Sequence, residues 1–234
     1  MKATRGGTFT PVPLPKPATV FARCYSVIDI GSVNESFQGN APELKRKVHI
    51  TWELPSLLGV FNEEKGKQPF VISLELTATT GDKSNLSKLI SQWRNKPFTA
   101  EEQNGFDPAT MIGKCGFISF IHNTKSKYKG QEIKQVTNEN TAMKFNGIMP
   151  VPEGVAKPAQ INPYFNWDWD KCEKEPFNKE EFEKIPKFLQ TKMAESLEFK
   201  KYAKGYVVGG HSAQAEAEPE PEAEKTVTET EGDW

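Results

Sequence analysis

Two runs of cations are the chemistry-bearing features of the chain: Lys45, Arg46 and Lys47 in one, and Lys125, Lys127 and Lys129 around Tyr128 in the other. Lysines and arginines along an extended backbone neutralise the phosphates of a polyanion, and an aromatic ring among them offers a face for an unstacked base. Arg23, Tyr25 and His49 add further cationic groups and a second ring. Such a set supports binding rather than bond breaking. The plainer alternative for each run is a solvated basic loop.

Catalytic patterns are sparse. No phosphate-cradling Gly-x-x-x-x-Gly-Lys-Ser/Thr loop, Gly-x-Gly-x-x-Gly, His-x-x-x-His or Gly-x-Ser-x-Gly occurs. Asp168 and Asp170 flank Trp169 as a weak metal pair, without a histidine or third carboxylate at helical spacing, and their aromatic setting argues for a packed appendage. Cys24, Cys115 and Cys172 are odd in number and distant from one another and from His49, His122 and His211, which favours structural cysteines over zinc ligands or disulfides. The expectation is a binding protein that is not an enzyme and uses no metal or cofactor.

The elements that would position these residues follow from periodicity. Val20 to Ile30 alternates as a strand, with Val20, Ala22, Cys24, Ser26, Ile28 and Ile30 on one face and Phe21, Arg23, Tyr25, Val27 and Asp29 on the other. Val48 to Leu54 forms a second strand, with Val48, Ile50, Trp52 and Leu54 inward and Lys47, His49 and Thr51 outward. Arg23 and Tyr25 are thereby expected on the same open face as Lys47, His49 and Thr51. Phe70 to Thr77 is the third strand, reached through a charged hairpin loop.

Ser84 or Asn85 caps a helix carrying Leu86, Leu89, Ile90 and Trp93, which ends near Arg94. Arg94 and Lys96 read as cations at its C-terminal end. Pro97 stops the helix, and a hook tucks Phe98 and Phe106 beneath the sheet. Gly113 to His122 is the fourth strand, and Glu132 to Val136 is expected to close the set. Three strands, a helix and two strands is the order of a five-stranded OB barrel, so the fold class is mainly β with accessory α.

The flanks differ in kind. Residues 1–19, with Pro11, Pro13, Pro15 and Pro17, read as an extended arm ahead of a barrel domain over 20–140. Residues 141–208 form a connector and a helical appendage, with helices after Asn178 and after Ile185-Pro186; Leu189, Met193 and Leu197 are assigned to the inner face of the second. Residues 209–234 hold too little apolar surface to offset ordering entropy and are expected to be disordered. The formal net charge of -1 hides a split: the last 22 residues carry eight acids and one base, leaving 29 bases against 23 acids in the rest. A basic body with an acidic arm suggests a polyanion partner. No apolar run is long enough to span a membrane and no secretory leader is present, so a cytoplasmic location is expected.

Within the acidic arm, Glu231, Asp233 and Trp234 have the chemistry of a docking peptide, an aromatic ring to fill a pocket beside carboxylates that meet cations. This resembles, in chemistry rather than in letters, the acidic aromatic-tipped tails of bacterial and phage single-stranded DNA-binding proteins. The run Ser84-Asn85-Leu86 to Trp93-Arg94-Asn95-Lys96-Pro97-Phe98-Thr99 is similar to OB-fold single-stranded DNA-binding proteins of phage replication modules, a likeness covering about Val20 to Val136. The resemblance implies a sequence-independent coat on single-stranded DNA during replication or recombination, in the host bacterial cytoplasm if phage-encoded. It also implies recruitment of replication proteins through the tail. The aromatic region from Pro163 to Tyr202 would serve a homodimer contact. The rival expectation is a protein-binding or virion scaffold without affinity for nucleic acid.

Overall fold

The computed structural model describes residues 12–36, 41–124, 127–128, 131–132, 141–208 and 211–212. Five long strands dominate. β1 (Ala18–Glu35), β2 (Glu43–Asn62) and β3 (Gly66–Thr77) form an antiparallel meander, with a 3-10 turn at Glu63–Lys65 joining the last two. The connection expected as a loop before Phe70 is therefore mostly paired strand. Helices α1 (Asn85–Arg94) and α2 (Ala100–Gly105) and a 3-10 turn at Pro108–Met111 lead to β4 (Cys115–Thr124). A small ribbon, β5 (Lys127–Tyr128) with β6 (Gln131–Glu132), precedes β7 (Thr141–Pro150).

The order of long strands across the sheet is β3-β2-β1-β4-β7. The chain is thus mainly β, but the sheet is open: among the described residues no hydrogen-bonded ladder joins β3 to β7, although their backbones come within 8 Å. The closing strand lies at Thr141–Pro150 instead of Glu132–Val136, of which residues 133–136 fall outside the described set. Its alternation is hidden because Phe120 pairs with Phe145 while Ser119 pairs with Gly147, leaving Asn146 as an extra residue. The inward positions therefore run Met143, Phe145, Ile148, a step of three that a period of two misses.

Local signals account for α1. Ser84 Oγ accepts the Ser87 N–H at 3.0 Å, Leu86, Leu89, Ile90 and Trp93 bury one stripe, and Asn95 ends the helix in the left-handed conformation at φ 52°. α2 opens with a capping box between Thr99 and Glu102, and Phe98 meets Phe106 edge-on at 5.0 Å below the core. Val12 and Leu14 of the proline-rich segment pack on that same core, and His122 Nε2 lies 2.8 Å from the Pro15 carbonyl. The arm therefore lies against the body from residue 12 onward.

A second core occupies the other face of β1. Cys24 and Ser26, two positions apart, pair with the consecutive Trp52 and Thr51, so Tyr25 is an extra residue and the alternation reverses beyond it; Ile30 is a second extra residue, between Asp29 and Gly31, which pair with the consecutive Val48 and Lys47. Ala22, Cys24 and Val27 face the inner core, whereas Ile28, Ile30 and Val33 face outward. β8 (Phe165–Trp167) pairs in parallel with Ser26–Ile28, continuing the edge of β1 that β4 covers over Ala18–Arg23. α3 (Lys179–Glu183), α4 (Lys187–Met193) and α5 (Leu197–Tyr202) then supply Phe182, Leu189, Met193 and Phe199 against those outward residues.

Asn178 caps α3 as expected, and α4 follows Pro186. Leu197 departs from expectation at 43% exposure: Ser196 caps a new helix there, which resets the phase and buries Phe199. β9 (Val207–Val208) pairs with β10 (His211–Ser212), so the ladder reaches just into the region expected to be disordered.

Trp52 is fully buried, 5.7 Å from Trp93 and 5.8 Å from Phe145. Trp52→Ala is expected to lower the unfolding free energy by about 3–5 kcal/mol, seen as a lower urea midpoint. Trp52→Phe keeps a ring and removes an indole N–H with no acceptor among the described residues, so it should cost far less.

Candidate nucleic-acid interface

The face expected to be open is covered. Arg23 is 7% exposed, and its guanidinium donates to Glu53 Oε1 at 3.4 Å and to the Pro158 carbonyl. Glu53 is fully buried and also accepts the backbone N–H groups of Ile161 at 3.2 Å and Asn162 at 2.7 Å. The connector around 158–162 thus lies over β1 and β2, and a carboxylate this deep is tolerable because its acceptor sites are filled. Tyr25, the bulge residue, is largely enclosed: burial, then the charges of Glu53 and Cys24, push its phenol up to about 12.

Lys47 is 7% exposed with Nζ 2.5 Å from Glu35 Oε2. His49 lies beneath α4, its ring 6.0 Å from Phe188 and its Nδ1 3.3 Å from Thr51 Oγ1. Burial lowers the His49 pKa, an effect stronger than the opposing pull of Glu75. Arg46 is gripped by Asp29, with Nη2 2.5 Å from Oδ2, and by Asp170 at 2.6 Å; Asp168 stands at 3.9 Å. These contacts make Arg23, Lys47 and Arg46 structural cations before any phosphate arrives.

The carboxylates around Arg46 complete the pair noted in the sequence. Asp29 of β1 brings a third oxygen to Asp168 and Asp170, all within 4.8 Å of one another. The single guanidinium of Arg46 already bridges that cluster, and burial raises the Asp29 pKa despite it. Lys45 remains partly open, paired with Glu43 at 3.0 Å. Lys125, Lys129, Glu231, Asp233 and Trp234 lie outside the described residues, and of Lys127 and Tyr128 only the backbone is placed, in β5.

What tertiary structure does assemble is a track along β3, an edge strand of the sheet. Val71, Ser73 and Glu75 are exposed on its outward face, in contrast to the covered face of β2. A cleft of about 440 Å³ follows Glu75–Thr77 and gathers Lys45, Lys47 and Lys83 beside Ser84 and Asn85 at the start of α1. Helix N-terminal N–H groups add positive potential there. A second cleft, of about 530 Å³, follows Gln68–Ser73 and is lined by Phe61, Phe70, Val71 and Met143. Phe61 meets Phe70 edge-on at 4.9 Å and is 46% exposed.

At the lysine cleft, Lys192 of α4 holds Glu75 at 2.5 Å, and Phe188 stands 67% exposed on the same helix, beside His49. An extended ligand lying on β3 would meet rings at one end and lysines at the other. Lys83 and Phe61 were not among the residues singled out from sequence. Lys83 had a usable signal, a cation immediately before a helix cap, whereas Phe61 lay in a segment read as loop. No protein-family model, curated protein or solved structure matches this chain.

Two outcomes follow from the covered face. Arg23→Leu leaves Glu53 buried without its cation and is expected to cost about 3–5 kcal/mol, with hydrogen exchange rising over 158–162. His49 is held neutral in the folded state, so its contribution is complete above the unfolded pKa of about 6.5 and is lost as pH falls below it. Unfolding free energy should therefore decline from pH 7 toward 5, and His49→Gln should flatten that slope in urea titrations.

Proposed function

We propose that the protein coats single-stranded DNA without sequence preference, laying the strand along β3. The carrying observation is the alignment of an aromatic cleft and a lysine cleft on successive halves of that strand. Bases would rest on the exposed rings of Phe61 and Phe188, with the buried Phe70 backing Phe61, and phosphates on Lys45, Lys83 and the start of α1. No step of catalysis is called for. Tightly paired Arg23, Arg46 and Lys47 shape the surface instead of contacting the ligand.

Strand order supports an OB-type reading, since β3-β2-β1-β4-β7 with α1 between the third and fourth long strands is that of a partly open five-stranded barrel. In such barrels the strand 2–3 face and the loops after strands 1 and 4 hold the ligand. Here the loop after β4 contains Lys125, Lys127, Tyr128 and Lys129. The setting we assign is phage or bacterial replication or recombination in the cytoplasm, with Glu231, Asp233 and Trp234 available to partner proteins and a homodimer formed through the C-terminal layer.

A protein-scaffold role is favoured by one observation, the edge of β3 that no strand among the described residues pairs, which could accept a strand from another chain. Fluorescence anisotropy with oligo-dT, duplex DNA and oligo-U at two salt concentrations separates the readings. The DNA reading expects preference for oligo-dT over duplex, weakening with salt at a slope of about −0.7 per phosphate neutralised. Lys83→Glu should lower both affinity and slope, while Phe61→Ala should lower affinity with the slope kept. Absence of oligo-dT binding at low salt would support the scaffold.

A further inference from the structure

Where the C-terminal half of α1, the turn at Pro108–Met111 and the start of β4 meet, they leave a cavity of about 560 Å³. Ile90, Trp93, Phe106 and Met111 supply its apolar lining, all but Phe106 buried. The charged residues that line it are Arg94, Lys114 and Lys157, all of them cations. Arg94 is already engaged, since Glu102 grips it through two hydrogen bonds of 2.6 and 2.7 Å. Lys114 and Lys157 are exposed and form no ion pair among the described residues. A volume of this size is in the range that takes a small molecule.

The walls decide what such a molecule can carry. Trp93 Nε1 donates to the Cys115 carbonyl at 2.7 Å, and Thr110 Oγ1 to the Asp107 carbonyl at 2.7 Å. The backbone N–H groups of Gly113 and Lys114 are taken by the carbonyls of Cys24 at 2.8 Å and Met111 at 2.9 Å. A polar group in the body of the ligand would therefore lose its hydration without finding a donor. The body must be apolar, and the rings of Trp93 and Phe106 with the Met111 thioether favour a flat aromatic one. Charge enters only at the rim, where it must be negative to meet Lys114 and Lys157. A nucleobase, polar along its edges, fits these walls poorly, which separates the cavity from the clefts along β3.

We propose that the cavity is a binding site for a small aryl carboxylate, its ring seated among Ile90, Trp93, Phe106 and Met111 and its carboxylate paired with Lys114 and Lys157. The site does not rest on the DNA reading. Ser84 and Asn85 of the lysine cleft stand at the other end of α1, about 15 Å away along a helix of 10 residues. A ring bound in the cavity touches α1, the turn at Pro108–Met111 and the start of β4 at once. Occupancy therefore fastens α1 to the sheet and stabilises the folded chain by mass action.

Titrating the full, nitrogen-15-labelled chain with 2-naphthoate and following its amide resonances by NMR tests this directly. Shifts are expected first at Met111, Lys114 and Cys115, saturating with a dissociation constant below about 1 mM, together with a higher urea midpoint. The cationic counterpart 2-naphthylmethylammonium should leave those amides unmoved. Lys114→Met with Lys157→Met should weaken naphthoate binding by up to about fivefold per lost ion pair. Thr110→Trp fills the mouth from an exposed position without altering charge, and should abolish binding while the urea midpoint without naphthoate is kept. Shifts absent from the cavity, shifts scattered over the surface, or equal binding of the cation would overturn the proposal. So would uptake of an acidic tryptophan-containing peptide where naphthoate is refused, which would mark a protein-docking surface instead.

Discussion

Val27 and Ile28 are neighbours in sequence and belong to different cores. Bulges at Tyr25 and Ile30 make this possible: the first extra residue reverses the alternation of β1 and the second shifts it again, so Ile28, Ile30 and Val33 all turn away from the inner core and toward the C-terminal layer. Each large side chain buried there stabilises by about 1.5–3 kcal/mol, and Trp167, Trp169, Phe182 and Phe199 give the outer core a dense aromatic filling. β8 completes the arrangement by hydrogen-bonding the stretch of β1 that β4 leaves unpaired.

Covering β1 and β2 on both faces changes what their charged residues can do. Removing a cation from water is costly unless a carboxylate and further hydrogen bonds replace the lost hydration. Arg23 therefore faces Glu53, Lys47 faces Glu35, and Arg46 is held by Asp29 and Asp170. Of the residues that look like a phosphate-binding row in sequence, Arg23 ties the connector and Arg46 the C-terminal layer to the sheet, while Lys47 links β2 to β1. Exposure shifts one strand over, to β3, whose Val71, Ser73 and Glu75 stay open on the outward face.

Much of the fold was legible because its signals are local. Ser84 as a cap, the stripe from Leu86 to Trp93, the stop before Pro97 and the alternation of Val48 to Leu54 all depend on residues a few positions apart. β7 was missed because the extra Asn146 breaks the alternation, and the phase of α5 was missed because the Ser196 cap interrupts what reads as one continuous helix with α4. Each miss comes from a single inserted or capping residue that shifts periodicity without altering composition.

The sequence by itself determined the β-rich class, the position of α1, the aromatic character of the C-terminal layer and the separation of a basic body from an acidic arm. Only the tertiary structure decided which cations were free and which carboxylates they met. Asp29 lies 17 residues from Arg46 and Asp170 lies 124 away, and their meeting depends on the C-terminal layer packing against β1. Periodicity tells which residues share a face; whether that face meets water or another layer depends on packing between distant segments, and that determines the ionic partners.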